Sequence, residues 1–289
     1  MKKILIFFAL IAMLMGTLAL SGCQVVGLGS MTYRYFEEEN FSSIRVSGSF
    51  NVHFSYTEME YGTSTRVNEF SVRVAMQENL FNYLDVSVDD GTLIVSSRRS
   101  FVVTPSNNPR LYVQAPSLTG VRLSGSTRFE NSDKIVEDSF NLHTSGSSRV
   151  SLDIDADKVY VTTSGSSTID LTVSADYLTI DSSGSTVMDI DMEVLWLNLE
   201  SSGSSRFDFV GEAFNANFDT SGSTRINGLF LITRDAEVDS SGSTNIYIHV
   251  QNTLHVAARG SSRIRYMGNP HVTTNLSGSS SVQRYAPTE

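Results

Sequence analysis

From about residue 120 onward apolar and polar residues alternate, and the alternation restarts around a small-residue motif, Ser-Gly-Ser followed by Ser or Thr, or a near variant. Its glycine falls at Gly125, Gly146, Gly165, Gly184, Gly203, Gly222, Gly242, Gly260 and Gly278, at intervals of 21, 19, 19, 19, 19, 20, 18 and 18 residues. Four residues before the glycine stand Val121, Leu142, Val161, Ile180, Leu199, Phe218, Val238 and Val256. Four after it stand Phe129, Val150, Ile169, Met188, Phe207, Ile226, Ile246, Ile264 and Val282. Even offsets are apolar and the odd ones between them mostly polar, the period of two that marks strands with one buried face. Helical spacing fits nowhere in this region.

Two short strands per nineteen residues, with no helical crossover, leave few topologies. Parallel strands need a long connection unless each coil is itself that connection. The expected fold is therefore all-β: a single-stranded parallel β-helix of nine to ten coils, with like residues stacked about 4.8 Å apart in columns along a rod of roughly 40 Å. The hydroxyl residues two before the glycine, Thr144, Thr163, Ser182, Ser201, Thr220 and Ser240, share the inward parity and predict an internal hydroxyl ladder at a tight corner. The glycine supplies either a left-handed backbone or room for close approach. Nine equivalent copies of the motif argue against a catalytic serine, which would be one residue singled out by a base.

The preceding part is less regular. Ile44, Val46, Val52 and Phe54 flank Gly48 in phase with the later columns and predict a first coil there. Phe70 to Val74 and Leu84 to Val88 alternate as strands, and Asp89-Asp90-Gly91 reads as a hairpin turn into Leu93 to Ser97. A solenoid end exposes unpaired strand edges and needs a cap. The expected organisation is a leader over 1–22, a tether over 23–35, an N-terminal β segment over 36–108 that caps the rod and holds the first coil and hairpin, and β-helix repeats over 109–289.

The segments Phe41-x-x-Ile44-x-Val46-Ser47-Gly48-Ser49-Phe50-x-Val52, Asn79-Leu80, Asp90-Gly91-Thr92-Leu93-Ile94-Val95 and Leu118-x-x-Val121-x-Leu123-Ser124-Gly125-Ser126 resemble the auto-transporter adhesin head GIN domain family (DUF2807-type), found in Bacteroidetes-like lipoproteins. The resemblance covers nearly all of the chain after the leader. It implies a right-handed parallel β-helix, an envelope location and an adhesive role, and it brings no catalytic residues. This chain carries more coils than a short member of the family would.

The N-terminus fits that location. Lys2 and Lys3 precede an uncharged run from Ile4 to Leu20, shorter than the roughly 20 residues of a membrane-spanning helix and patterned as a secretory leader. Leu20-Ser21-Gly22-Cys23 resembles the bacterial lipobox, so Cys23, the only cysteine, is the expected lipidation site and membrane anchor. A lone cysteine excludes an internal disulfide and a cysteine metal site. Gln24 in place of the aspartate associated with inner-membrane retention points to the outer membrane, facing either the periplasm or the outside.

Charge narrows the partners. Without the leader the chain has 19 basic and 31 acidic residues, a net charge of −12, which disfavours nucleic acid. An outward column three residues after the glycine holds Arg128, Arg149, Arg206, Arg225 and Arg263, interrupted by Thr168, Val187 and Asn245. Stacked guanidinium groups can recognise sulfate, phosphate or uronate groups of a glycan. Acids at neighbouring odd positions, among them Glu130, Asp170, Asp189 and Asp208, predict lateral neutralisation instead. Asp153-Ile154-Asp155-Ala156-Asp157 lacks the glycine and distal glutamate of a calcium loop. His53, His143, His249, His255 and His271 show no metal spacing, so neither metal nor cofactor is expected. Tyr160 and Tyr247 offer aromatic faces to sugars, though isolated surface aromatics are common.

These features favour a non-enzymatic, lipid-anchored scaffold that binds a glycan or an envelope protein. The alternative is a polysaccharide lyase or hydrolase, because such enzymes use β-helices. They wall their clefts with long loops, which intervals of 18 to 21 residues do not allow. A hexapeptide-type acyltransferase shares the 18-residue period but conflicts with export and lacks the glycine pattern.

Overall fold

The computed structural model describes residues 24–59 and 66–286. It is a parallel β-solenoid of about nine turns with almost no helix. In a regular coil one fifteen-residue strand, such as Thr168–Ser182, supplies both faces, and the next, Val187–Ser201, lies on it in parallel. Ile169 pairs with Met188, Leu171 with Ile190, Ile180 with Leu199 and Ser182 with Ser201, so the columns read from the period are columns in space. Pairing skips one position per coil, at Asp176 and Leu195, where consecutive residues face outward and the chain turns its second corner.

The first corner belongs to the glycines. Ten of them, from Gly48 to Gly278, lie one above another, and a Cβ on any from Gly125 onward would meet the carbonyl oxygen of the glycine beneath it at 2.7 Å or less. Left-handed φ angles occur at some, such as Gly146 (φ 105°), but not at Gly165, Gly184 or Gly203. Close approach is thus the requirement the whole column shares.

Inside the rod the apolar columns are dry: Phe129, Phe140, Phe207 and Phe218 are fully buried. The expected hydroxyl column is buried but only partly bonded: Thr144 and Thr220 have no hydrogen-bond partner among the described residues, and most of the bonds run to a neighbouring hydroxyl column. Thr163 Oγ1 lies 3.1 Å from Ser182 Oγ above it and 3.0 Å from Thr186 Oγ1, and Ser182 Oγ lies 3.0 Å from Ser205 Oγ. Thr186 and Ser205 belong to a second buried hydroxyl column, two residues after the glycine, which the sequence reading passed over. Unequal repeat lengths are absorbed outside the columns. The 21-residue interval places Ser132 to Lys134 between strands, and the 20-residue interval produces a bulge near Gly228 that leaves Phe230 73% exposed.

At the N-terminal end the spatial order departs from the chain order. Strand Ser43–Gly48 lies between Thr92–Ser97 and Gly120–Gly125, and Asn51–Tyr56 between Arg110–Ala115 and Arg128–Asn131. The coil at Gly48 is therefore a middle layer, and the chain returns beneath it before climbing the rod. Below, the mode changes to antiparallel. Leu84–Asp89 pairs with Thr92–Ser97 through a turn at Asp90 (φ 45°) and Gly91 (φ 67°). On the other face Ser71–Gln77 pairs with Arg110–Ala115 and then with Met31–Phe36. The 3-10 turn Glu78–Tyr83 links these faces and buries Leu80 and Phe81 against the core. The segment expected as a tether is structured in this arrangement: Gln24–Val26 pairs with Ser100–Val102, and the following strand is pinned where Arg73 stacks over Tyr33 at 5.2 Å.

Candidate functional site

The arginine column occupies the outward face of the first half of each coil. Register makes Arg128 and Arg149 vertical neighbours, and likewise Arg206 and Arg225. Thr168 and Val187 separate the two pairs, and Arg263 stands one coil beyond Asn245. The column is thus brought together as two pairs and a single residue. Lateral neutralisation is incomplete. Arg206 Nε reaches Asp208 Oδ2 at 2.6 Å, whereas Arg128 lies 3.9 Å from a Glu130 that is closer, at 2.7 Å, to His53. Among the described residues Arg149, Arg225 and Arg263 form no ion pair.

The upper pair faces a shallow cavity of about 450 Å³, completed by Asp208, Asn227, Tyr247 and Tyr285. Arg265 donates to the Tyr247 hydroxyl at 2.6 Å and Tyr285 meets the Tyr247 ring edge-on, which fixes the phenol side of the cavity. The Arg206 hydrogen bond holds the Asp208 carboxyl below the usual carboxylate range against the opposing effect of burial, and Asn227 and the charge of Arg225 add to it. One coil below, burial pushes Asp189 up, reinforced by the charges of Asp208 and Asp170 in the same column. Arg225, with its fork unspent beside an amide and a phenol, is suited to hold an anionic group.

A second feature went unread in the sequence. Along the second corner runs a groove of about 1110 Å³ with carboxylates from successive coils, including Asp155, Asp157, Asp176, Glu193 and Glu212, and exposed Leu195 and Phe214. Its signal was acids recurring nine and eleven residues after the glycine, but the skipped pairing position breaks the simple alternation there. Glu137, at the lower end, accepts from Leu118 N at 2.7 Å and Ser117 Oγ at 2.9 Å. Arg234 lies over the Phe214 ring at 4.8 Å and 3.5 Å from Asp235.

Among the described residues no group of three or more His, Cys, Asp or Glu is placed to hold a metal ion. Burial, with the charge of Arg122, lowers the His143 pKa. No described helix is long and apolar enough to cross a membrane. Cys23 and the leader lie outside the described residues.

Three solved structures share this architecture, each covered over its full length. A "putative adhesin" from Parabacteroides distasonis ATCC 8503 is 18% identical over 91% of this chain with a TM-score of 0.68. A "putative adhesin" from Parabacteroides merdae ATCC 43184 is 16% identical over 92% with a TM-score of 0.61. A "putative lipid binding protein" from P. distasonis ATCC 8503 is 18% identical over 91% with a TM-score of 0.56. At such identities the likeness shows the fold. No curated protein matches the sequence. With residues 40–192 and 172–270 both matching its pattern, the chain belongs to the family described as "Putative auto-transporter adhesin, head GIN domain".

Proposed function

We propose that this protein is a lipid-anchored component of the outer membrane whose rod is a non-enzymatic adhesive scaffold, and that the cavity at Arg206 and Arg225 engages acidic groups of a glycan or envelope protein. The observation that carries the reading is the unspent guanidinium of Arg225 in a cavity on a rigid, loop-poor surface. Family membership supports the adhesive role, and the lipobox-like residues up to Cys23 support the anchor.

The test has two arms. Cells making the wild type or Cys23→Ser are labelled with a radioactive fatty acid and fractionated. Label in the outer membrane for the wild type and none for the variant is expected; unlabelled wild type or inner-membrane residence refutes the anchor. An array of sulfated, uronate and neutral glycans is then probed with wild type and Arg225→Ala. Binding of acidic glycans that the variant loses supports the site, and equal binding by both removes it.

The acid-lined groove and Arg234 give a second reading, polysaccharide cleavage, a specific footing. New reducing ends or unsaturated products from any arrayed polysaccharide would establish it. The groove carboxylates repeat from coil to coil on an open surface, and no pair stands apart as acid and base, so the adhesive reading is preferred.

A further inference from the structure

On the face that follows the second corner, three aromatic side chains project from three successive coils. Tyr177 lies in register beneath Trp196, and Tyr160, one coil lower, pairs with Thr179 two residues along. Tyr160 is 41% exposed, Tyr177 43% and Trp196 44%, so each ring is half embedded and half presented. None makes a ring–ring or cation–π contact among the described residues. Asn198, Asn215 and Asn217 stand in the same two columns on the coils at and above Trp196, and their amides have no hydrogen-bond partner among the described residues. A small cavity of about 160 Å³ lies between Trp196 and the amides of Asn215 and Asn217.

We infer that this face is a binding platform for an uncharged, linear glycan lying along the rod axis. A sugar ring offers an apolar face of C–H groups and a rim of hydroxyls. Aromatic planes match the first and amides, with donors and acceptors both unspent, match the second. The sheet fixes the platform groups at the coil repeat of about 4.8 Å, so binding requires little ordering of the protein. Charge selects the ligand class. The adjoining outward column is Asp181, Glu200 and Asp219, which repels sulfated or uronate chains. This platform is therefore distinct in preference from the arginine cavity on the other face. The inference deepens the adhesive reading and rests on it.

Trp196 is the only tryptophan in the chain, so its emission reports on this face alone. The full-length protein, purified in a detergent without a sugar headgroup, is titrated with β-1,4-linked glucohexaose and mannohexaose, and with hexagalacturonate as the anionic comparison. Titration by calorimetry accompanies the fluorescence. A saturable shift with a neutral hexaose is expected, with none from hexagalacturonate. Tyr177→Ala should weaken the neutral ligand about two- to tenfold, the range one aromatic contact supplies. Tyr177→Phe should retain binding, and Arg225→Ala should leave it unchanged. Absence of saturable binding by either neutral hexaose, or binding indifferent to Tyr177→Ala, overturns the platform. If hexagalacturonate binds through Arg225 while neither neutral hexaose binds or shifts the Trp196 emission, the platform fails and the adhesive reading stands. Cleavage of the hexaose refutes both. Inert hexaoses together with a protein ligand lost on Tyr177→Ala would replace the glycan by a protein.

Discussion

Replacing Gly203 by alanine adds one methyl group at the point where two coils come closest. The new Cβ would sit 2.8 Å from the carbonyl carbon of Gly184 and 3.1 Å from its nitrogen, where ordinary contacts lie at 3.4–4 Å, and nearer still to its carbonyl oxygen. Relieving the carbonyl carbon alone needs a separation of about 0.6 Å more at that corner, judged by the usual close-packed distances. The closer contact with the oxygen demands a larger shift still, so the hydrogen bond from Ser204 N to Gly184 O, now 2.9 Å, would be lost. Losing one such bond costs about 0.5–1.5 kcal/mol, and forcing an extra carbon into a packed corner about 1–3 kcal/mol. Gly203 has no left-handed φ, so steric approach is the only cause at work. The expected destabilisation is about 2–4 kcal/mol, which lowers the urea midpoint by roughly 1 M at an m-value near 3 kcal/mol/M. The assay is urea unfolding of the full-length protein followed by far-ultraviolet circular dichroism. Gly91→Ala serves as a contrast, because its φ is 67° with nothing within 4 Å of the added carbon, so only backbone strain of about 1–2 kcal/mol applies. Ser204→Ala, on the exposed side of the same corner, should move stability by no more than about 0.5 kcal/mol. If Gly203→Ala proves as mild as Ser204→Ala, the close-approach account of the glycine column is wrong.

Three further outcomes are expected. Thr163→Val removes a hydroxyl engaged by Ser182 and Thr186 and should cost about 1–3 kcal/mol, whereas Thr144→Val, whose Oγ1 has no partner among the described residues, should be neutral or stabilising; equal effects in chemical denaturation would refute the ladder. The raised pKa of Asp189 means that the folded chain holds that proton longer than the unfolded one, so its contribution to stability falls as pH rises from the ordinary carboxylate value through the raised one. Asp189→Asn should therefore stabilise the protein by about 0.2–1 kcal/mol at pH near 7, with the gain vanishing near pH 3, while Asp208→Asn, which removes a carboxylate held low, should destabilise at neutral pH; thermal melts at both pH values decide. Phe218→Ala opens a cavity in the fully buried stack with Phe209 and should cost about 3–5 kcal/mol, against no more than about 0.5 kcal/mol for Phe230→Ala on the exposed bulge, by the same melts.

The part of the fold visible in the sequence is the part where one residue repeats the environment of another nineteen positions away. Ile169, Met188 and Phe207 had to be buried together because each sits four residues after an equivalent glycine. Such periodicity carries no information on which layer lies above which, so the insertion of residues 43–56 between two later segments could not be read from Gly48 being in phase. The glycine's two possible purposes were indistinguishable in sequence because both demand a missing Cβ. At the candidate site, the arginine column was legible, but its division between paired Arg206 and unpaired Arg225 depends on rotamers within one coil. The second corner was missed for a related reason: skipping one pairing position at Asp176 shifts the parity, and Tyr177 and Trp196 then face outward at offsets where the earlier half of the coil would bury them.

The interleaved layer at the N-terminal end sets the order in which the molecule can be assembled. Between neighbouring repeats the two partners of a new contact are about nineteen residues apart, as for Thr163 and Ser182, whereas Ser124 and Ser47 are separated by 77. Closing the longer loop is disfavoured by roughly 1.2 kcal/mol relative to the shorter one on chain entropy alone. A polypeptide emerging from its N-terminus would consequently hold the strand at Ser47 without its upper neighbour until 77 further residues had followed. Structure should then nucleate among the later windings and spread back, with the end first synthesised being the last to lock.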